Sequence, residues 1–495
     1  MRALELIFPA AVAACVFVGA LTIFPWDSDA SFIAHDPVFY AHDAEDRPWR
    51  SLVGHHPLFH VMVNVVTAAL ERANVAHPGH LAVRCVSGFG AACIVLLFSW
   101  IAGAGKRTTG ALIALPLIAS RTFIFEAGVG ESIHTACAAS LATLWLASRP
   151  DPRRLPVAIA LVLALLLRQD NVLMVPAVAI AFASGQASGR RLRRTASLIG
   201  IAAVATLTLY LLAWRVSAPD VRLADYLLHV ASPQWIDEMT AAPDSMRMLA
   251  HCAVSGVAVV GQQWDMQALP HVAVGVAFVA LLVAAGVLLR GRYASGRFGV
   301  AVLVTIGARA PFFAWFEPMN HEWWLLPLVL IGALVAAWAR GDRGAPPARR
   351  RAGHLTLVLM TAAILAAHMP WTYALRDRSV VRAREVAMEA GARFPDCRYA
   401  TFGAHAHTAF HIIRRDHLPM DGSIEATIDE LRQVLSRGTA PIVLVLDRFA
   451  GTGMPHLLRQ DSDPLASLLD DWEPTQGERL FRHRGRVVAI AWNLD

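Results

Sequence analysis

His55-His-Pro-Leu-Phe-His-Val-Met-Val-Asn-Val-Val-Thr-Ala-Ala-Leu70 is the stretch on which the fold turns. It is apolar enough to be taken for a membrane crossing, yet it carries His55, His56, His60 and Asn64. Its flanks decide the matter. Apolar runs at 4–24 and 81–101 stand on either side, each long enough to cross about 30 Å of hydrocarbon. Further runs at 196–214, 272–289, 298–313, 323–338 and 355–371 are as long or nearly so. Trp26, Trp100, Trp145, Trp214, Trp338 and Trp371 fall at or near run ends, where an amphipathic ring prefers headgroup depth. With 56% hydrophobic and 17% charged residues, the chain is too apolar for a soluble protein of 495 residues.

The short loops sort by charge. Lys106-Arg107, Arg149/Arg153/Arg154, Arg190-Arg191/Arg193-Arg194, Arg290/Arg292/Arg297 and Arg340/Arg343/Arg349–Arg351 mark cytoplasmic turns. Between successive basic loops the chain must go out and return, which gives hairpins at 110–148, 155–184, 196–289 and 298–339, then an exit through 354–371. Counting back, 81–101 runs inward and 4–24 runs outward. Residues 57–70 therefore cannot cross without breaking the parity, and their histidines suit a helix lying in the interface. The expectation is a polytopic α-helical protein of a bacterial inner (plasma) membrane with about eleven transmembrane helices and a cytoplasmic amino end. A transmembrane domain covers 1–371, with a long outer loop at 25–80 and an interfacial helix at 57–70. The first run reads as a retained helix, since Phe24-Pro25-Trp26 offers no small-residue cleavage site.

Residues 372–495 return to ordinary hydropathy and read as a small extracytoplasmic α/β domain. Strands are expected at 398–402, 441–446 and 486–492, and helices at 423–436 and 465–472. It has no glycine-rich phosphate loop. His405, His407 and His411 lack a partner set at metal-ligand spacing, so a polar helix face is the plainer reading. The six cysteines form no disulfide framework or CxxC pattern. The net charge of +6 is dispersed between apolar runs, which argues against nucleic acid as a partner.

The topology places many polar residues at the outer surface. Asp27 and Asp29 follow the first run directly, and His55-His56-Pro57 opens the interfacial helix. Glu126, Glu131 and His134 come in the next outer turn. Arg168-Gln-Asp170-Asn171 joins two 13-residue spans and is held below the outer membrane surface. It is either a functional group at depth or an Arg168–Asp170 pair stapling a hairpin. Glu317, Asn320, His321 and Glu322 lie between two later spans, with Arg309 about one turn below. The run Asp43, Glu45, Asp46 reads as a solvated loop. A base beside a phosphate clamp, open sideways to lipid, fits a substrate carried on a polyprenyl phosphate.

This order of motifs resembles the membrane glycosyltransferases of the GT-C fold, such as protein O-mannosyltransferases and aminoarabinose transferases. Those proteins have an acid just after the first span, as in Asp27-Ser-Asp29, and a His-Pro-Leu opening to an interfacial helix, as in His55-His-Pro-Leu-Phe-His60. They have a second acid in the next outer loop, where Glu131 stands here. The resemblance covers roughly 1–215 by motif and the remainder by topology. It implies inverting transfer of a sugar from a polyprenyl-phosphate donor to an extracytoplasmic acceptor. Asp27 or Asp29 would be the catalytic base, and Glu131 would orient the acceptor or hold a divalent metal, which only some relatives require. His55, His56, Arg168 and Asp170 would bind the phosphate side of the donor, and Glu317, His321 and Glu322 would close the cavity. The alternative readings are a transporter or flippase of lipid-linked saccharides, to which the short hairpin would be suited, and a silent scaffold for an envelope partner.

Overall fold

The computed structural model describes residues 3–25, 28, 36–46, 48–49, 56–226, 269–289, 296–316, 322–340, 346–376, 383–402, 418–420, 442–446, 478–483 and 486–492. The chain divides into two compact units, Met1–Ile23 with Asp43–Thr372, and Phe24–His42 with Tyr373–Asp495. The expected helices at 423–436 and 465–472, and His405, His407 and His411, lie outside the described residues.

The first unit is a helical bundle. Its elements are α1 (Leu4–Thr22), then α2 (Asp36–Asp46), whose first seven residues fall in the second unit, α3 (Pro57–Arg72), α4 (Pro78–Ala102), α5 (Arg107–Ile118), α6 (Arg121–Val129) and α7 (Ile133–Ala147). They continue with α8 (Arg154–Leu167), a 3-10 turn (Gln169–Met174), α9 (Val175–Ser184), α10 (Arg191–Ser217), α11 (Leu269–Leu289), α12 (Gly296–Phe316), α13 (Glu322–Ala339) and α14 (Pro347–Arg376). Among the described residues five helices are long and apolar enough to cross a membrane: α1, α4, α10 with its leading turn, Gly296–Phe313 and Pro347–Met369. The number is six if α5 and α6 form one bent span. Shorter apolar stretches of 10–17 residues run at Ile133–Ala147, Arg154–Leu167, Gln169–Ser184, Ala277–Leu289 and Trp324–Ala339.

Helix α4 is the spine. Of its apolar window 67% is buried, against 17% for α1 and 22% for α14. It touches α1, α3, α5, α6, α7 and α13. Small residues make those approaches possible, as membrane helices without a hydrophobic drive between them require. A Cβ on Gly90 would lie 2.4 Å from Thr135 N on α7, and one on Gly110 of α5 would lie 2.4 Å from Phe98 O on α4. The amino end of α4 is held from outside its own sequence: Gly79 N donates to Glu45 Oε1 at 2.8 Å. Glu45 is therefore a helix cap and not merely a solvated loop charge.

One expected hairpin takes a different form. Residues 110–148 do not run straight out and back: α5 ends at Ile118, and α6 leaves it bent by 85°. Ser120 starts α6 as its cap, accepting from Phe123 N at 3.4 Å. Glu126 and Glu131, expected in an outer turn, are consequently 1% and 3% exposed.

The basic loops collect at one end of the bundle. Glu5 Oε2 accepts from Arg107 N at 2.5 Å, and Arg340 lies over the Trp145 ring at 5.0 Å. Thr109 and His354 are 3.1 Å apart, Arg349 donates to Val287 O at 3.1 Å, and Arg154 donates to Ser197 Oγ at 2.8 Å. Helix α3 packs on α4 and α8 through Phe59, His60, Val63, Asn64 and Thr67, all buried, and leaves Val65 exposed.

In the second unit, α15 (Ala383–Arg393) leads into a five-stranded sheet of order β2-β1-β3-β5-β4. Its strands are β1 (Arg398–Phe402), β2 (Leu418–Met420), β3 (Ile442–Leu446), β4 (Glu478–His483) and β5 (Arg486–Trp492). β1 pairs in parallel with β2 and β3, and β5 pairs antiparallel with β3 and β4. Tyr399 and Ala400 are both buried, as are Val443 and Leu444, so both faces of the sheet centre are covered. The Tyr399 hydroxyl donates to Ala390 O and Phe394 O, tying β1 to the end of α15.

Two predictions follow from this packing. Gly90→Val forces α4 and α7 apart and lowers the thermal midpoint in detergent, by about 1–3 kcal/mol of stability; an unchanged midpoint would contradict the close approach. Burial lowers the His60 imidazole from 6.5 to about 4. The folded chain thus keeps it neutral while the unfolded chain takes up a proton below pH 6.5. Its contribution to stability falls as pH drops from 6.5 to 4, by about 3 kcal/mol, and is level below that. Unfolding midpoints across that range should flatten in His60→Gln.

Candidate functional site

The chemistry-bearing residues in view gather where α8 stops. Arg168 ends α8 in an extended conformation (φ −156°, ψ 126°), and the chain tightens into the 3-10 turn before α9. The reason is local. Asn171 Nδ2 donates to Ala164 O at 2.8 Å, a carbonyl that Arg168 N also reaches at 3.1 Å, so the side chain folds the turn back onto the end of α8. Ser140 of α7 donates from Oγ to Asn171 Oδ1 at 2.9 Å. The polar turn is thereby fastened to α7 within the apolar bundle.

Asp170 lies between two guanidinium groups. Arg168 Nε donates to Oδ1 at 3.1 Å, and Arg309 Nη2 of α12 donates to Oδ2. Arg309 Nη1 also reaches Asp170 O at 3.3 Å and Asn171 Oδ1 at 3.2 Å, and its guanidinium lies over the Phe313 ring at 4.9 Å. Arg168 is 3% exposed, Arg309 1% and the Asp170 side chain 9%. A lone guanidinium at this depth costs several kcal/mol, and the shared carboxylate offsets that for both. Two arginines here share one acid. A buried group of this kind can receive a phosphate oxygen without gathering new cations around it.

Glu131 occupies the turn between α6 and α7. Gly130 takes φ +106°, a conformation that suits glycine, and its Cβ position is already filled by Val83. The Glu131 carboxylate accepts from Ser132 N at 3.2 Å at the start of α7, where the helix dipole favours an anion. Nine residues separate it from Ser140, so at 1.5 Å rise it stands about 13 Å along α7 from the level of the arginine cluster. His134, fully buried, packs on Phe123 at 4.4 Å between ring centroids and lies 3.5 Å from Ser87 Oγ.

The sequence-derived candidates therefore divide. Arg168 and Asp170 are brought together, with Arg309, Asn171 and Ser140 added. His56 precedes α3 as its N-cap residue without a side-chain cap bond. Asp27, Asp29, His55, Glu317 and His321 lie outside the described residues, and Glu322 opens α13 with its side chain outside them. Ser140 gave no signal, being one serine in an apolar run. Arg309 did, as a lone arginine inside a span.

The fold has solved counterparts. The chain matches ArnT from Cupriavidus metallidurans bound to undecaprenyl phosphate over 98% of its own length and 97% of that protein, with TM-score 0.59 and 13% identity. The apo form of the same protein matches at TM-score 0.58 and 12% identity over the same shares. The archaeal oligosaccharyltransferase AglB from Archaeoglobus fulgidus matches at TM-score 0.48 and 12% identity, over 89% of this chain and 69% of that one. No protein-family model and no curated protein sequence matches. The chain has the GT-C fold.

Asp170→Asn leaves two buried guanidiniums without their shared anion and should cost about 3–5 kcal/mol. Ser140→Ala removes one neutral hydrogen bond and should cost about 1 kcal/mol. Thermal unfolding of both variants in detergent checks the order; equal losses would mean the carboxylate does not bind the arginines together.

Proposed function

We propose that the chain is a membrane glycosyltransferase that moves a sugar from a polyprenyl-phosphate donor to an extracytoplasmic acceptor with inversion at the sugar carbon. The observation that carries the reading is a GT-C match along nearly the whole chain to a protein solved with undecaprenyl phosphate bound. The two buried guanidiniums of Arg168 and Arg309 support it, because the donor's leaving group is an anion at membrane depth. So does an apolar groove of about 360 Å³ along α1, α5, α6 and α14, lined by Phe8, Val12, Cys15, Leu115, Ile118 and Ile124, which suits an isoprenoid chain.

In this reading the short helices cross as well, giving about eleven spans in the bacterial inner membrane. The amino end is then cytoplasmic, and residues 372–495 form an extracytoplasmic domain. Asp27 or Asp29 takes the proton from the acceptor hydroxyl as its oxygen attacks the sugar carbon from the face opposite the phosphate. The bond from that carbon to the phosphate oxygen breaks, and the polyprenyl phosphate leaves with the electron pair. Arg168 and Arg309 stabilise the charge that develops on the phosphate, and His55 and His56 are assigned the same task. Asp170 acts through the two arginines by holding their planes fixed. Glu131 orients the acceptor, and Glu317, His321 and Glu322 close the cavity. If a divalent metal takes part, Glu131 is the residue that would hold it.

Purified protein in liposomes with a polyprenyl-phosphate sugar tests this. Transfer should fall by about 10²–10⁴ in Asp27→Asn or Asp29→Asn, whichever is the base. Full activity in both variants and in the double variant would overturn the base assignment. Movement of the intact lipid-linked sugar across the bilayer, with no transfer in the wild type, would instead identify a carrier.

A further inference from the structure

At the basic end of the bundle two helix starts stand side by side. Arg154 opens α8 and Arg191 opens α10, joined by the bond from Arg154 Nη1 to Ser197 Oγ at 2.8 Å and by Gln186 Nε2 donating to Pro152 O at 3.0 Å. Between them lies a cleft of about 650 Å³ whose lining includes Arg153, Arg154, Arg190, Arg193 and Arg194, with Asp151 as its one acid. Five cations less one anion give a formal charge of +4. The volume is within the range of small-molecule sites, about 300–1,000 Å³.

The partners of these arginines cancel no charge. Arg154 is held by a serine hydroxyl, and Arg194 Nη1 by Gln186 Oε1 at 2.6 Å. Among the described residues none of the five is in an ion pair. Neither α8 nor α10 has a side-chain cap at its amino end, so two positive helix-dipole ends add to the field. Retention of arginine on one side during insertion accounts for the composition of these loops. It does not account for two loops, about forty residues apart in the chain, folding their arginines around one cleft.

The rim shows what the cleft faces. Leu192 is 85% exposed and sits between Arg191 and Arg193; Leu155 is 64% exposed and follows Arg154, and Ile159 continues that face at 52%. Leucines this open beside guanidiniums fit the boundary between hydrocarbon and headgroups, where arginine stems lie along the apolar layer and their charges reach the phosphates.

We infer that this cleft binds the headgroup of an anionic phospholipid from the leaflet on the basic side. Its guanidiniums fork the phosphodiester oxygens, and the acyl chains lie along Leu155 and Ile159. The site is at the end of the bundle away from Glu131 and does not depend on the glycosyltransferase reading.

The test uses the full-length protein in detergent, titrated with phosphatidylglycerol or phosphatidylcholine and read by native mass spectrometry. Wild type should prefer phosphatidylglycerol, with binding that weakens as salt rises. Exposed R153Q/R190Q/R193Q should bind it ~10-fold or more weakly, and single R193E should shift it in the same direction. R297Q/R349Q/R351Q removes as many exposed charges elsewhere on the same end and should leave binding unchanged. Equal loss in the two triple variants would reduce the effect to general surface charge and overturn the site. Inorganic phosphate alone displacing the lipid at comparable concentration would overturn the lipid assignment in favour of a soluble-phosphate site.

Discussion

A carboxylate shared by two arginines inside an apolar bundle fixes more of this molecule than any stretch of hydrophobic packing. Asp170 can be there only if Arg168 and Arg309 both reach it, because a buried ion without its counter-ion is expensive. That condition stops α8 at Leu167, tightens the following six residues into a 3-10 turn, and sets the height of α12 against that turn. Asn171 carries the constraint to α7 through Ser140. Four elements of the bundle are thus tied to one polar point.

Two departures from straight crossing have a common effect. The α8–α9 hairpin turns back early, and α6 leaves α5 at 85°. Each shortens the helix that would otherwise fill the membrane thickness, and each puts polar residues below the level where a full-length span would have placed them. Depth of this kind requires internal hydrogen bonding, which Asn171, Ser140 and Ser120 supply. Charges in the resulting polar interior act through a low dielectric, which is the condition the proposed reaction requires.

What the sequence disclosed and what it withheld divide along physical lines. The helix at 57–70 was legible because its apolar and polar residues share a helical period, and α3 is a 16-residue helix that buries Phe59, His60, Val63, Asn64 and Thr67. The strands at Arg398–Phe402 and Arg486–Trp492 fall where β-branched and aromatic residues cluster. The bend at Ser120 was harder: its cap signal lies inside an apolar run, where averaging over a span conceals it. Ser140 was out of reach, because serine in an apolar helix usually bonds its own backbone, as Ser99 and Thr143 do here. Glu45 read as a solvated charge because its partner, Gly79 N, is 34 residues away. Arg309 stood out as an anomaly, but only the fold supplies Asp170 from 139 residues earlier.

The bond between Glu5 and Arg107 N has a temporal side. Its two ends are 102 residues apart, so at about 5–20 residues per second of synthesis the acid at the mouth of α1 waits roughly 5–20 seconds for its donor. Until then that carboxylate lacks this donor, while α4, made earlier, can already pack along α1. The open end of α1 is therefore closed last, by a segment synthesised well after the helix it finishes.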